Sequence, residues 1–254
     1  MKKSKPAGKS KGDVVLINAL AVVETEDIGN NVDIKEFAVV RRGVRLGNNV
    51  VIHPFVVIES GVEIGDNVEV FPGTYIGKVP KGAALARKPE YREYIRIGSN
   101  CNIGPNAVIY YEVEIGENTL IGDGASIRER CRIGSNCILS RYVTINYATD
   151  VGDNTKIMDS THITGNCRIG NNVFISVCVG STNDNAIGKL GYDEARVKGP
   201  TIEDGAAVGG GAMLLPGIVI HKDAIVGAES VVTKDVAEKT MVIGTPAVFR
   251  RHLE

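Results

Sequence analysis

Aliphatic residues recur along this chain with a period of six. From Ile28 the beat passes through Ile34, Val40, Leu46, Ile52, Ile58, Ile64 and Val70 to Ile76. It restarts at Ile97 and runs unbroken to Ile175, then again from Ile202 to Val232, and every position on it is Ile, Leu or Val. Weaker hexads precede it at Leu16 and Val22. The fourth residue after each aliphatic is small or β-branched, as in Ala38, Val56, Thr74, Cys101, Thr119 and Cys167. Gly often follows the aliphatic, as in Ile64-Gly65 and Ile115-Gly116, with Asn or Asp close behind. An amphipathic helix spaces its apolar residues three and four apart around a 3.6 period, which a strict six does not fit. The pattern predicts very short strands joined by turns, three to a coil, with each coil hydrogen-bonded to the next.

Composition supports a narrow interior. The chain is 43% hydrophobic but only 5% aromatic, with no Trp and 30 Gly among 254 residues. A globular core of this size usually employs more large rings. The net charge of −1 gives no global field for nucleic acid or a membrane surface. No apolar run approaches the ~18 residues of a membrane span. Residues 1–15 hold Lys2, Lys3, Lys5, Lys9 and Lys11 with no apolar stretch of a secretory signal behind them, and read as a basic disordered tail. The odd count of five cysteines, without metal-type spacing, points to a reducing cytoplasm. Cys101 and Cys137, like Cys131 and Cys167, take the small position two coils apart, about 9.6 Å at the usual strand spacing. That exceeds the ~7 Å limit for a disulfide, so they are expected to be small buried hydrophobes. Cys178 falls one place before that position.

The beat breaks twice, and insertions in a repeat become loops that carry function. The first break, 78–96, contains Lys78, Lys81, Arg87, Lys88, Arg92 and Arg96 with Tyr91 and Tyr94. It suits either a clamp for phosphates beside a stacked base or a solvated loop packed on a neighbouring subunit. The second is 181–201. An 18-residue coil stacks Thr144, His162 and Gly180 vertically and places His162 at a prism corner. Asn183 and Asp184 then start within ~5–10 Å of its imidazole. Asp159 shares the hexad, and Asn146 and Tyr147 lie in the hexad that follows Thr144. His162 is the candidate general base, with Asp159 as its orienting partner. Asn183, Asp184, Asn146 and Tyr147 are the acceptor-binding candidates. His53, His221 and His252 fall on separate coils or in the tail, so no metal site is expected.

This repeat resembles that of the left-handed β-helix acyltransferases, over residues 16–237. The resemblance implies an all-β left-handed parallel β-helix of about ten coils, roughly 50 Å long, with two inserted loops. Gly244-Thr245-Pro246 is read as turning the extension 238–254 into a short C-terminal helix. The second break, Ser181 to Asp184 above all, is similar to the loop of amino-sugar N-acyltransferases that act on nucleoside-diphosphate-linked sugars. The stretch Val226–Arg251 resembles the ending of CoA-dependent acetyltransferases. Carried over, it nominates Gly209, Ala212, Gly227, Ala228 and Lys234 for CoA, with Lys222 and Arg250 as weaker additions. The family's usual histidine position holds Tyr147 here, and some amino-sugar members work without a histidine base. The resemblance therefore implies an acyl-CoA-dependent N-acyltransferase, a cytoplasmic homotrimer, acting on a nucleotide-linked amino sugar. The alternatives are another acceptor, including a lipid-precursor sugar acylated from acyl carrier protein, and a noncatalytic scaffold.

Overall fold

The computed structural model describes residues 14–82 and 88–253. The five N-terminal lysines and Arg87 lie outside the described residues. The strands, mostly two residues long, stack into three parallel sheets that form the faces of a triangular prism. Face I has thirteen strands, face II eleven and face III nine. The solenoid is left-handed and has about twelve coils rather than ten. Face I shows the count directly, with twelve parallel strands from Leu16–Ile17 to Thr240–Ile243, the last of them beyond the repeat expected to end at 237.

Partners lie eighteen residues apart through most of the stack, as in the side-chain contacts Asn31–Asn49 and Asn49–Asn67. The lowest coil is one residue shorter. Ile34 pairs with Ile17 and Val40 with Val23, so the first two beats fall on Ile17 and Val23, not on Leu16 and Val22. A one-residue slip exchanges the two faces of a strand. Both insertions leave after a face II strand and return to face III. Across each of them the corner contacts join residues 33 apart, with Ile64 paired to Ile97 and Ile169 to Ile202. The two loops therefore project from one edge of the prism, II/III, at two heights.

The aliphatic beat fills the axis: Ile52, Ile103, Ile121, Ile145 and Ile157 have no exposed surface. Each such side chain contributes about 1.5–3 kcal/mol by burial. The small position hydrogen-bonds as well as packs. Thr155 and Thr161 hydroxyls donate to Gly170 and Ser176 carbonyls at 2.8 Å. Cys101, Cys131 and Cys137 aim Sγ at the equivalent carbonyls at 3.0–3.1 Å. Thr and Cys thus exchange because both are small donors. All five cysteines are free, and Cys178 alone is exposed. Burial pushes the thiols of Cys131 and Cys167 up to about 12, which suits packing and not nucleophilic chemistry.

Corners adopt the left-handed conformation, most often with Asn, at φ +56° for Asn31 and +57° for Asn49. Asn tolerates that region better than other side chains. Gly after the aliphatic answers to space: a Cβ on Gly116 would lie 2.5 Å from Ser135 Oγ and 2.7 Å from the Gly134 carbonyl carbon.

The expected C-terminal helix is absent, and no helix occurs among the described residues. Thr240–Ile243 joins face I beside Ile225–Val226, and Val248–His252 folds back on it antiparallel. β-Branched residues in Thr240–Ile243 suit a strand, with Thr240 and Val242 buried against the last coil. Gly244 at φ +107° allows the reversal that was read as a helix start.

Candidate active site

The outward residues of face II stack Val39, Val57, Tyr75, Val108, Ser126, Thr144, His162, Gly180, Met213 and Val231. This column is apolar below, polar from Ser126 to His162, and apolar again at Met213. His162 sits within the strand His162–Ile163. It therefore stands on the flat of face II and not at a corner, because the turn falls three residues later at Gly165-Asn166. Thr144 and Gly180 flank it in register, as the 18-residue spacing requires.

The imidazole is exposed, with its Nδ1 held 2.7 Å from Thr144 Oγ1. If Nδ1–H donates to the hydroxyl, the Nε2 lone pair is available to take a proton. Partial desolvation holds the ring's pKa below the ordinary histidine value. That shift favours the neutral ring, the form a general base requires.

Asp159 does not join it. Its carboxylate accepts from Ser140 Oγ, from the Arg141 amide at 3.0 Å and from the Arg141 guanidinium. The Arg141 side-chain bond, then that of Ser140, draws its pKa down to about 2. Asp66 and Asp153 grip the amides of Asn48 and Ser135, one coil below, at 2.6 and 2.7 Å in the same way. Asp159 is one unit of this corner device.

The second insertion closes on edge II/III. Asn183 Nδ2 donates to the Gly165 carbonyl at 3.2 Å, and Asn166 Nδ2 to Val197 O at 3.2 Å. Asp184 accepts the amides of Gly188 and Ala186, both at 2.8 Å, which lower its pKa. It shapes the loop and is turned to the loop's own backbone. Arg130 reaches Glu194 at 3.2 Å. The Nε atoms of Arg130 and Arg196 are buried without hydrogen-bond partners. Tyr147 lies at the corner below Gly165, where a Cβ on Gly165 would come within 2.6 Å of its ring. Asn146 is half-buried, its amide spent on Ile163 O at 2.9 Å.

Sequence reasoning missed two residues on this edge. Glu129 is a corner carboxylate with no exposed surface, and Arg128 binds it as a fork, Nε to Oε2 at 3.0 Å and Nη2 to Oε1 at 3.3 Å. A corner side chain ordinarily points to water, so no local pattern betrays such burial.

Of the residues nominated for CoA, the amides of Gly209, Ala212 and Gly227 donate to Val226 O, Gly209 O and Val242 O at 2.8, 3.3 and 2.9 Å. Coil stacking thus uses the amides of Gly209 and Gly227, and a turn within one coil uses that of Ala212. A Cβ on Gly209 would meet the Ala228 amide nitrogen at 2.5 Å. Ala228 is exposed. Lys234 lines a cavity of about 590 Å³ under the C-terminal hairpin with Val248, Phe249 and His252.

His53 and His221 contact Glu69 at 2.7 Å and Glu203 at 3.2 Å, on different coils. Among the described residues no three His, Cys, Asp or Glu side chains are grouped to hold a metal. No helix among them is long and apolar enough to cross a membrane.

A left-handed prism of six-residue steps is a defined structural class, and comparison with known proteins narrows it. The bacterial transferase hexapeptide family matches residues 43–78, 94–128 and 112–147, and the hexapeptide repeat of succinyl-transferase matches 201–234. The chain therefore carries the bacterial transferase hexapeptide repeat over these stretches. A galactoside O-acetyltransferase of Lactococcus lactis is 38% identical over 52 residues, 20% of this chain and 25% of that protein. A 2,3,4,5-tetrahydropyridine-2,6-dicarboxylate N-acetyltransferase of Staphylococcus aureus is 48% identical over 46 residues, 18% of this chain and 19% of that protein. The chain thus matches about a quarter or less of these relatives' length. The structure of an Arabidopsis UDP-N-acetylglucosamine acyltransferase superposes with a TM-score of 0.58 at 20% identity, covering 93% of this chain and 74% of that one; at this identity the likeness is one of fold.

Proposed function

We propose that the chain transfers an acyl group from a CoA thioester to the amino group of a nucleotide-linked amino sugar. The observation that carries this reading is the exposed imidazole of His162, held by Thr144 beside the edge from which both insertions leave. The hexapeptide acyltransferases that the chain resembles supply the reaction class.

In this mechanism the acceptor amine attacks the thioester carbonyl carbon. His162 Nε2 takes the amine proton as the C–N bond forms, with Nδ1–H fixed on Thr144 Oγ1. The tetrahedral intermediate collapses, the C–S bond breaks, and CoA leaves as a thiolate that the imidazolium can protonate. Tyr147 and Asn183 line the acceptor side. Asp159 and Asp184 contribute by holding the corner and the loop in shape. Lys234 meets the phosphate end of CoA, and the coils from Gly209 to Ala228 flank its pantetheine arm. A homotrimer would close the acceptor site between two prisms. No metal takes part in this scheme.

The test is release of free thiol from acetyl-CoA against a panel of amino sugars carried on nucleoside diphosphates. Thiol release that requires one of these acceptors supports the proposal. Turnover only with acyl carrier protein as donor, or only with a hydroxyl acceptor, refutes the donor or the acceptor assignment. Absence of heat on titrating acetyl-CoA into the protein would favour a noncatalytic prism.

A further inference from the structure

The start of the first insertion borders an open pocket on face II that the chemistry at His162 does not use. Its volume is about 810 Å³, and it is lined by Tyr75, Lys78, Val79, Lys81 and Val108. Tyr75 and Val108 are neighbouring outward residues of face II. Lys78 Nζ lies 4.9 Å from the ring centroid of Tyr110, and the Arg128 guanidinium carbon 5.2 Å from it. Two cations therefore flank one aromatic ring next to the pocket, Lys78 lining it and Arg128 standing one coil above Tyr110. Arg128 is fixed there by its fork on the fully buried Glu129. That fork uses Nε and Nη2 and sets the guanidinium plane without using Nη1. A buried carboxylate is costly unless paired, so the pair locks Arg128 in one pose. Glu59, the carboxylate nearest Tyr75, is turned to the Tyr75 hydroxyl at 2.8 Å and lies 3.9 Å from Arg41.

The cavity thus joins a flat apolar wall to a cationic rim. That pairing suits a ligand with a planar ring at one end and phosphate charge at the other. Its position matters as much as its chemistry. Val108, Ser126, Thr144 and His162 are consecutive rungs of face II, so the imidazole stands three coils above, about 14 Å away. A diphosphate and a sugar ring bridge such a distance.

We propose that this cavity seats the nucleoside diphosphate of the acceptor, with the base on Tyr75, Val79 and Val108 and the phosphates on Lys78, Lys81 and Arg128. Glu129 is a positioning residue that acts through Arg128. The assignment rests on the acyl-transfer reading for the identity of the attached sugar. The nucleotide-binding part stands on the cavity alone.

The test is calorimetry of UDP and dTDP against the full chain with no thioester present, with 3′,5′-ADP as the arm that represents the phosphate end of CoA. At least one nucleoside diphosphate should bind. Arg128→Gln and the double variant Lys78→Gln/Lys81→Gln should each weaken it by about tenfold or more, as loss of charged hydrogen bonds predicts. Binding of 3′,5′-ADP should not change. Glu129→Gln should raise the acceptor KM while leaving kcat and the acetyl-CoA KM near their original values, a split that general destabilisation would not produce. Lys78 and Lys81 are exposed, so their variants test the site even if Glu129→Gln fails to fold. No nucleoside-diphosphate binding, binding indifferent to these changes, or loss of 3′,5′-ADP binding instead would overturn the proposal. A chain that binds UDP or dTDP through these residues yet releases no thiol would refute acyl transfer and leave the cavity assignment standing.

Discussion

Faces II and III of the prism rise through the same coils and enclose the same aliphatic axis, yet their outer surfaces differ in kind. Up face III the outward residues alternate in sign: Arg45, Glu63, Arg96, Glu114, Arg132, Asp150, Arg168. Parallel in-register stacking puts each side chain about 4.8 Å from its neighbours above and below. A column of like charge would repel itself, whereas alternation sets opposite charges on neighbouring rungs and yields ion pairs such as Arg96–Glu114 at 3.3 Å and Arg168–Asp150 at 2.8 Å. Exposed pairs are individually weak, so the ladder chiefly avoids a penalty. Face II carries no such ladder. Its central stacked column is aliphatic or aromatic from Val39 to Val108, and Ser126, Thr144 and His162 interrupt it beside the edge that bears both loops. The contrast shows that the inner column specifies the fold while the outer columns are free to differ, one satisfying electrostatics and the other holding chemistry.

The largest expected effect tests face II directly. His162→Ala should lower turnover about 100-fold, the contribution of a positioned base, with the far-ultraviolet spectrum unchanged. Near-normal turnover would instead mean that the amine passes its proton straight to the departing thiolate. The acid limb of kcat/KM in the parent should titrate below the usual histidine range, because desolvation lowers the His162 pKa and only the neutral ring accepts a proton; a limb at or above 6.5 would assign it to another group.

A smaller loss is expected at the edge between the faces. Gly165→Ala places a methyl against the Tyr147 ring and should raise the acceptor KM about tenfold through misplacement. An unchanged KM would remove Tyr147 from the acceptor site. Face III should respond in stability alone. Glu114→Lys sets three cations in succession, Arg96, Lys and Arg132, and should cost about 1 kcal/mol in urea unfolding. Half a molar salt should recover part of that loss, and catalytic constants should stay fixed.

The smallest effect concerns pH. The folded pKa of Asp159, about 2, lies below its ordinary value, so the fold favours the charged form. Its contribution is complete above the unfolded value near 3.9 and fades as pH falls toward 2. Asp159→Asn should flatten the acid side of the stability profile without altering the acceptor KM. A loss of turnover comparable with His162→Ala would restore Asp159 to the chemistry.

Much of this was legible in the chain. The beat of six identified the axis residue by residue, and eighteen-residue arithmetic placed Thr144, His162 and Gly180 on neighbouring rungs. The corner residue repeats as well: Asp66, Asp153 and Asp159 each stand two places after the aliphatic beat and accept an amide of the coil below. Other features depend on contacts between distant parts. Glu129 is buried, though corner side chains generally face water. The hairpin at Gly244 differs from a helix start only by what Val242 and Thr240 can bury against. The slip at Ile17 and Val23 arises because the terminal coil is one residue short.

The constant step has a consequence for how such a chain can change length. Loss of eighteen residues from the shaft would shorten the rod by one storey and leave every surface above it facing as before. Loss of six would turn the upper storeys by one third of a revolution, carrying His162 off the flank that bears the nucleotide cavity. Loss of one would turn the axis residues outward. Only at the two projections from edge II/III can length drift freely, so diversification of this protein should be concentrated there.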